Sequence, residues 1–188
     1  QRTIWHNQRA GWLDVRHDEG ASQLLVHVHH PLPVLLAIAQ DVRRLFDLES
    51  DPRLVADHLA SSTALAPVVE AYPGLRVPGC FDGFELAIRT ILGQQVSVSG
   101  ASTKSAQLVA HYGTPLEQAE EQGAFPDGLT HLFPLPRQIV AAGGISSLDL
   151  KLPRRRAATI NQLAQAICAG ELQLTPTADA QQECERLL

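Results

Sequence analysis

The hydrophobic period of this chain changes from strand-like to helical along the sequence, and this change most constrains the fold. Residues 23–30 carry an apolar stretch that continues as alternation, which predicts a strand. Apolar residues then recur at helical spacing, and from Arg76 onward we predict helices and loops only. The chain is therefore predicted to be α+β. A small antiparallel-sheet domain of mixed α and β structure, incomplete at its start, would cover residues 1–75. Part of an all-helical domain would cover residues 76–188.

Capping signals predict where the main helices of the second part begin. Asp82 followed three residues later by Glu85 is a capping-box arrangement. The helix that follows breaks near Gly93, and Ser97 or Ser99 would cap the next one. The small residues that follow make that helix slim, so we expect a neighbouring helix to approach it closely.

The charge balance excludes one way of binding nucleic acid. The chain has 15 basic and 20 acidic residues and a net charge of −5, which argues against attraction by bulk charge. A local basic surface stays possible, since residues 137–170 hold five basic residues and one acidic residue.

Three cysteines without a disulfide-type spacing predict a reduced, cytoplasmic protein. We interpret Cys80 and Cys168 as small buried apolar residues. No apolar run reaches the roughly 18 residues of a transmembrane helix, so no membrane association is predicted. Methionine is absent and the last predicted helix is cut at Leu188, so we expect a piece of a longer protein.

The run Arg154-Arg155-Arg156 lies in the first turn of a predicted helix that begins after Pro153. Cations at a helix N-terminus are disfavoured by about 0.3–1 kcal/mol each, and a bound anion would relieve this cost. The alternative is a solvated, ion-paired surface. Successive residues point about 100° apart, so the three arginines cannot all serve one site.

The break at Gly93 carries two adjacent carboxamides, Gln94 and Gln95. Glutamine both donates and accepts hydrogen bonds, which suits contact with base edges or filling a gap in a duplex. The alternative is an ordinary polar turn between helices. His27, His29 and His30 form another candidate, a metal site on the predicted strand, but packed or solvated histidines fit them better.

Two linked motifs resemble those of one enzyme family. The first reads P-G-L-R-x-P-G-C-x-D-x-F-E over residues 73–85, and the second reads R-x-I-L-G-Q-x-V-S-V over residues 89–98. Together they resemble the bacterial 3-methyladenine DNA glycosylase II enzymes of the helix-hairpin-helix superfamily. Residues 44–48 and the P-x-x-R-A pattern at residues 153–157 resemble further segments of that family in the same order.

The resemblance implies an enzyme of base-excision repair that hydrolyses the N-glycosidic bond of alkylated bases in double-stranded DNA. Such enzymes flip the nucleotide out of the duplex and stack the electron-poor base in an aromatic cleft. An aspartate stabilises the oxocarbenium-like sugar or activates water. No metal or organic cofactor is implied. In the family a wedge residue fills the vacated space, and the motif puts Gln95 at that position.

Contact with DNA is accordingly expected from residues at the helix break and in the arginine run, namely Gln94, Gln95, Ser97, Arg155 and Arg156.

The resemblance also implies parts that residues 1–188 do not contain. The family's hairpin and its catalytic aspartate would follow Leu188, so these residues alone are expected to be inactive, and no catalytic residue is assigned. The parent protein is expected to be a monomer. The Gln94-Gln95 pair is similar to glycosylase domains fused to a DNA-methyl-transferring regulator. A non-catalytic DNA-binding or regulatory module and a helical protein-interaction domain stay open as alternatives.

Overall fold

The computed structural model describes residues 1–6, 9–29, 34–116 and 125–187. Contacts divide the chain into two compact units, which we describe separately. One unit comprises Gln1–Leu32 together with Asp82–Leu188, and the other comprises Pro33–Phe81. The domain boundary expected near residue 75 stays a prediction.

The first unit begins with a three-stranded antiparallel sheet in the order β1-β2-β3. Its strands are β1 (Arg2–His6), β2 (Arg9–Asp18) and β3 (Gln23–His29). Exposed and half-buried residues alternate along β3, as the sequence pattern indicated, and His30 lies outside the described residues. The sheet and the helices together confirm the predicted α+β fold class.

The second unit consists of three helices among its described residues. These are α1 (Leu35–Leu45), α2 (Pro52–Ala60) and α3 (Ala66–Ala71). The side chain of Asp51 accepts a hydrogen bond from the N–H of Arg53 at 2.9 Å, and a proline at the first position of α2 completes this start.

The first unit contains a large apolar core and, among its described residues, five helices. They are α4 (Gly83–Gly93), α5 (Val98–Tyr112), α6 (Pro136–Ala141), α7 (Arg154–Cys168) and α8 (Ala180–Leu187). Ile88 and Leu92 of α4, Leu108 of α5 and Ile160 of α7 are fully buried in this core. The core therefore fixes the ends of α4, α5 and α7 relative to one another.

The prediction of helices and loops only beyond Arg76 was wrong in one place. Two short strands, β4 (Thr114–Pro115) and β5 (His131–Leu132), pair in antiparallel fashion. The hydroxyl of Thr3 donates to the carbonyl of His131 at 3.1 Å, which ties β5 to the N-terminal sheet. A strand of two residues has no alternation to detect, so pattern analysis could not find it.

The start of α4 follows the capping prediction in part. The side chain of Asp82 accepts from the N–H of Glu85 at 2.7 Å. The carboxylate of Glu85 is bound instead by two arginines, Arg2 at 2.6 Å and Arg89 at 2.8 Å. Glu85 thereby links β1 to α4 as well as supporting its own helix.

The interpretation of Cys168 as a buried residue was wrong. Its side chain is exposed in the last turn of α7, past the buried stripe that ends at Ala164. Cys80 is half-buried, and Cys184, like Cys168, is exposed. In the part of the chain that the structure describes, no helix combines the length and the apolar character needed to cross a bilayer.

Candidate nucleic-acid interface

The loop between α4 and α5, residues 94–97, is exposed along its whole length. Leu92, just before it, is fully buried and anchors the end of α4 in the core. Gln94 leaves the helix with an extended backbone at φ −62° and ψ 126°. Gln95 then adopts a φ of 57°. This left-handed conformation costs a non-glycine residue about 1–2 kcal/mol, and such strain is concentrated at functional sites.

Ser97 forms the start of α5. Its backbone is extended, and its hydroxyl oxygen accepts a hydrogen bond from the N–H of Gly100 at 3.2 Å. The hydroxyl of Ser99 lies 3.1 Å from that of Ser97. Of the two serines that the sequence left open, Ser97 is therefore the cap, and its position fixes where the loop ends.

An arginine from α7 reaches the loop. One terminal nitrogen of Arg156 donates to the carbonyl oxygen of Gln94 at 2.8 Å, across 62 residues of sequence. The structure thus brings the arginine run and the carboxamide pair together, which sequence spacing could not indicate. Gln94, Gln95, Ser97 and Arg156 share one surface of the unit.

The other two arginines of the run have exposed side chains. Within the described residues, the guanidinium groups of Arg154 and Arg155 make no hydrogen bond or ion pair. Their charges are accessible to an anion in solvent. Arg155 lies in the same turn of α7 as Arg156. Of the three consecutive arginines, only Arg156 contacts the loop. This agrees with the expectation that three successive helix residues cannot all point at one site.

The electrostatic setting of Arg156 differs from that expected for a helix N-terminus. Its own helix disfavours a cation in the first turn, but its guanidinium lies at the C-terminal end of α4, where the helix dipole is negative. The repulsion from the dipole of α7 and the attraction to the dipole of α4 are of similar size. The contact with α4 therefore largely offsets the cost of a cation in the first turn of α7. No bound anion is required to account for Arg156.

A groove of about 240 Å³ runs beside the loop along the faces of α4 and α5. Small residues line much of it, namely Gly93, Ala101, Ser102 and Ser105. A Cβ built on Gly93 would lie 3.8 Å from the Cβ of Ala101, which confirms the close approach predicted for the slim helix.

Arg89 lines the same groove and was not singled out from the sequence. Its Nε lies 2.8 Å from Glu85, and its guanidinium carbon lies 5.6 Å from the centre of the Phe133 ring. Its four-residue spacing from Glu85 was a local signal for the ion pair, whereas nothing local indicated Phe133.

The histidines of β3 lie apart from this loop in sequence and carry no metal-type cluster. Among the described residues, no group of three or more histidine, cysteine or acidic side chains could hold a metal ion. The ring of His29 stacks on Trp12 at 3.7 Å with an interplanar angle of 5°. His27 is exposed, and His30 lies outside the described residues.

Residues 1–82 match the family described as the AlkA N-terminal domain. The chain is 36% identical over 155 residues to DNA-3-methyladenine glycosylase 2 of Escherichia coli, an alignment that covers 82% of this chain and 50% of that protein. The resemblance to the 3-methyladenine DNA glycosylase II family is confirmed. The family resemblance thus has support outside the two motifs that first indicated it.

A second AlkA relative combines two functions in its name. The chain is 36% identical over 154 residues to a probable bifunctional transcriptional activator/DNA repair enzyme AlkA of Mycobacterium tuberculosis, covering 82% of this chain and 29% of that protein. The chain therefore spans half of the length of the first AlkA relative and less than a third of the second.

Solved structures of DNA glycosylases share this fold. A 3-methyladenine DNA glycosylase from Archaeoglobus fulgidus matches with a TM-score of 0.70 and 21% identity, over 87% of this chain and 54% of that one. The 8-oxoguanine glycosylase/lyase of Clostridium acetobutylicum matches with a TM-score of 0.69 and 14% identity, over 98% of this chain and 60% of that one. At these identities the likeness concerns the fold alone.

Proposed function

We propose that the protein is a DNA repair glycosylase that hydrolyses the N-glycosidic bond of alkylated bases, of the 3-methyladenine type, in duplex DNA. The observation that carries this proposal is the exposed loop 94–97, which holds the family's wedge position on a rigid core. The similarity to AlkA proteins over 82% of the chain supports the same activity.

In this proposal Gln95 enters the duplex as the target nucleotide leaves it. The carboxamide fills the vacated space and hydrogen-bonds the orphaned partner base, since it offers both donors and an acceptor. Gln94, Ser97, Arg155 and Arg156 surround the insertion point and contact the strands. The fixed backbone of the loop lowers the entropic cost of this insertion.

The bond-breaking chemistry needs a carboxylate that stabilises the sugar cation or activates water. We assign this role to no residue of the chain. Asp82, within the family motif, is engaged as a helix cap by the N–H of Glu85 at 2.7 Å. The cleavage step and the aromatic stacking of the base are therefore proposals about the full-length protein.

Basic residues near the loop would hold the phosphates while the protein as a whole stays acidic. Arg155 is exposed and available for a phosphate contact. Each phosphate neutralised by a cation steepens the salt dependence of binding by about one unit of slope. A local basic surface of this kind reconciles DNA binding with a net charge of −5.

Binding to a duplex with a tetrahydrofuran abasic-site analogue tests the role of the loop. We expect Gln95→Ala to weaken this binding up to about tenfold, because one hydrogen bond and its filling contact are lost. Affinity for undamaged duplex should stay unchanged. Gln165→Ala, which removes another exposed carboxamide on α7, is the matched control.

Equal effects of Gln95→Ala on both duplexes would contradict the wedge role. Release of free 3-methyladenine from methylated duplex by the full-length protein separates the enzyme from its alternative. A non-catalytic DNA-binding or regulatory module, which the bifunctional relative brings to attention, would bind the abasic analogue and release no base. If the chain is a protein-interaction domain, neither Gln95→Ala nor Arg155→Ala should change its affinity for DNA.

We also infer a cytoplasmic monomer. Cys168 and Cys184 are exposed free thiols, which is consistent with a reducing compartment. Chromatography of the purified protein at several concentrations would test the monomeric state, and a concentration-dependent mass would contradict it.

A further inference from the structure

Among the described residues, Arg156 is the one whose side chain hydrogen-bonds to the backbone of Gln94. The guanidinium donates to the carbonyl oxygen at 2.8 Å. Arg156 is half-buried, in contrast to its exposed neighbours Arg154 and Arg155. A charge-assisted bond of this kind is stronger than a neutral one.

The carbonyl of Gln94 is a point where the loop would otherwise be loose. It belongs to the C-cap of α4, where the chain has left the helix, and helix C-termini leave carbonyl groups without an intrahelical partner. The next residue, Gln95, has the left-handed φ of 57°. Rotation of the Gln94–Gln95 peptide would change the direction of the Gln95 side chain.

Both ends of the contact rest on the same core. α4 is anchored through Ile88 and Leu92, and α7 through Ala157 and Ile160. Arg156 precedes Ala157 directly, so the buried face of α7 sets the position of its guanidinium. The hydrogen bond between Arg156 and Gln94 thus joins two helices that are both anchored in the core, as pre-organised sites require.

We propose that Arg156 is a positioning residue for the wedge, holding the Gln94 carbonyl so that the Gln95 side chain is pre-oriented for insertion into DNA. This role rests on the proposed function of the loop. It differs from a phosphate contact, because its effect would pass through Gln95. Arg156 has further N–H donors, so a strand contact by the same side chain is compatible with it.

A double-mutant cycle on the full-length protein tests this coupling. The variants are Arg156→Met, Gln95→Ala and both together, and affinities are measured for the tetrahydrofuran duplex and for undamaged duplex of the same sequence. We expect Arg156→Met alone to weaken binding to the tetrahydrofuran duplex about tenfold. In the Gln95→Ala background its effect should shrink to the loss seen on undamaged duplex.

Arg155→Met is the matched control, since it removes the same charge from the same helix turn. We expect it to weaken both duplexes equally, with no coupling to Gln95. Arg156→Lys keeps the charge and an ammonium group that can donate to the carbonyl, and it should restore part of the selective affinity. Thermal unfolding of every variant verifies that the fold is intact, so that a loss of affinity is not a loss of folded protein.

Two results would overturn the positioning role. If the natural protein prefers the tetrahydrofuran duplex but the effects of Arg156→Met and Gln95→Ala add independently, Arg156 acts on DNA directly and the positioning role is wrong while the proposed function stands. If the natural protein does not distinguish the two duplexes, the wedge itself is wrong and the positioning role falls with it.

Discussion

Replacing Gln95 by glycine should raise the stability of the fold and lower its affinity for damaged DNA. Gln95 has a φ of 57°, which glycine adopts without strain. Its side chain is exposed and makes no hydrogen bond within the described residues. Removing an exposed side chain loses little packing inside the protein, so the backbone term decides the sign of the change in stability.

The magnitude follows from comparing two adjacent positions. A left-handed φ costs a non-glycine residue about 1–2 kcal/mol, and a glycine elsewhere costs about 0.5–1 kcal/mol in chain entropy. Gln95→Gly removes the first and adds the second, so it should stabilise by about 0.5–1 kcal/mol. Gln94 is also exposed but has a φ of −62°, so Gln94→Gly adds only the entropic cost.

The difference between the two variants isolates the cost of the left-handed backbone, since the entropic cost of glycine is common to both. We expect a difference of about 1–2 kcal/mol, or about 2–8 °C in Tm for a protein of this size. Thermal unfolding followed by circular dichroism measures it. A Gln95→Gly protein no more stable than Gln94→Gly would refute the assignment of strain to Gln95.

The same variant separates stability from DNA binding. Gln95→Gly lacks the carboxamide and should bind the tetrahydrofuran duplex at least as weakly as Gln95→Ala, while melting at a higher temperature. A strained backbone lowers the stability of the fold. At an exposed loop, such strain is expected where the conformation serves a function. Tighter binding of the tetrahydrofuran duplex by Gln95→Gly than by the natural protein would show that the Gln95 carboxamide is not needed.

Three further substitutions test the packing of the unit that carries the loop. Gly83→Ala would place a Cβ 2.2 Å from the carbonyl oxygen of Leu174. We therefore expect the free energy of unfolding to fall by about 1–3 kcal/mol, measured by thermal unfolding. Gly93→Ala at the other end of α4 makes only ordinary contact at 3.8 Å and should be neutral or stabilising; equal Tm values would refute this contrast. Asn161→Ala should cost about 2–4 kcal/mol, because its side chain bonds both the N–H and the carbonyl of buried Ile145 at 2.7 and 3.2 Å. Unchanged denaturant unfolding would contradict that role.

The sequence by itself determined the features that depend on near neighbours. Strand alternation and helical spacing predicted the α+β class. Asp82 marked where α4 begins, and the start of α5 was narrowed to Ser97 or Ser99, of which the structure shows Ser97. These signals are readable because a cap or an amphipathic face is set by residues only a few positions apart. The sequence also assigned the wedge position to Gln95, through the resemblance of a contiguous motif, and this assignment stays a prediction.

The tertiary structure alone decided what depends on distant residues. It placed Arg156 at the carbonyl of Gln94, 62 residues away, and gave Gln95 its left-handed backbone. It also paired the two-residue strands β4 and β5 and left Cys168 exposed. Each of these outcomes depends on how segments of the chain pack in three dimensions, and packing between segments far apart in sequence leaves no periodic or local signal to detect.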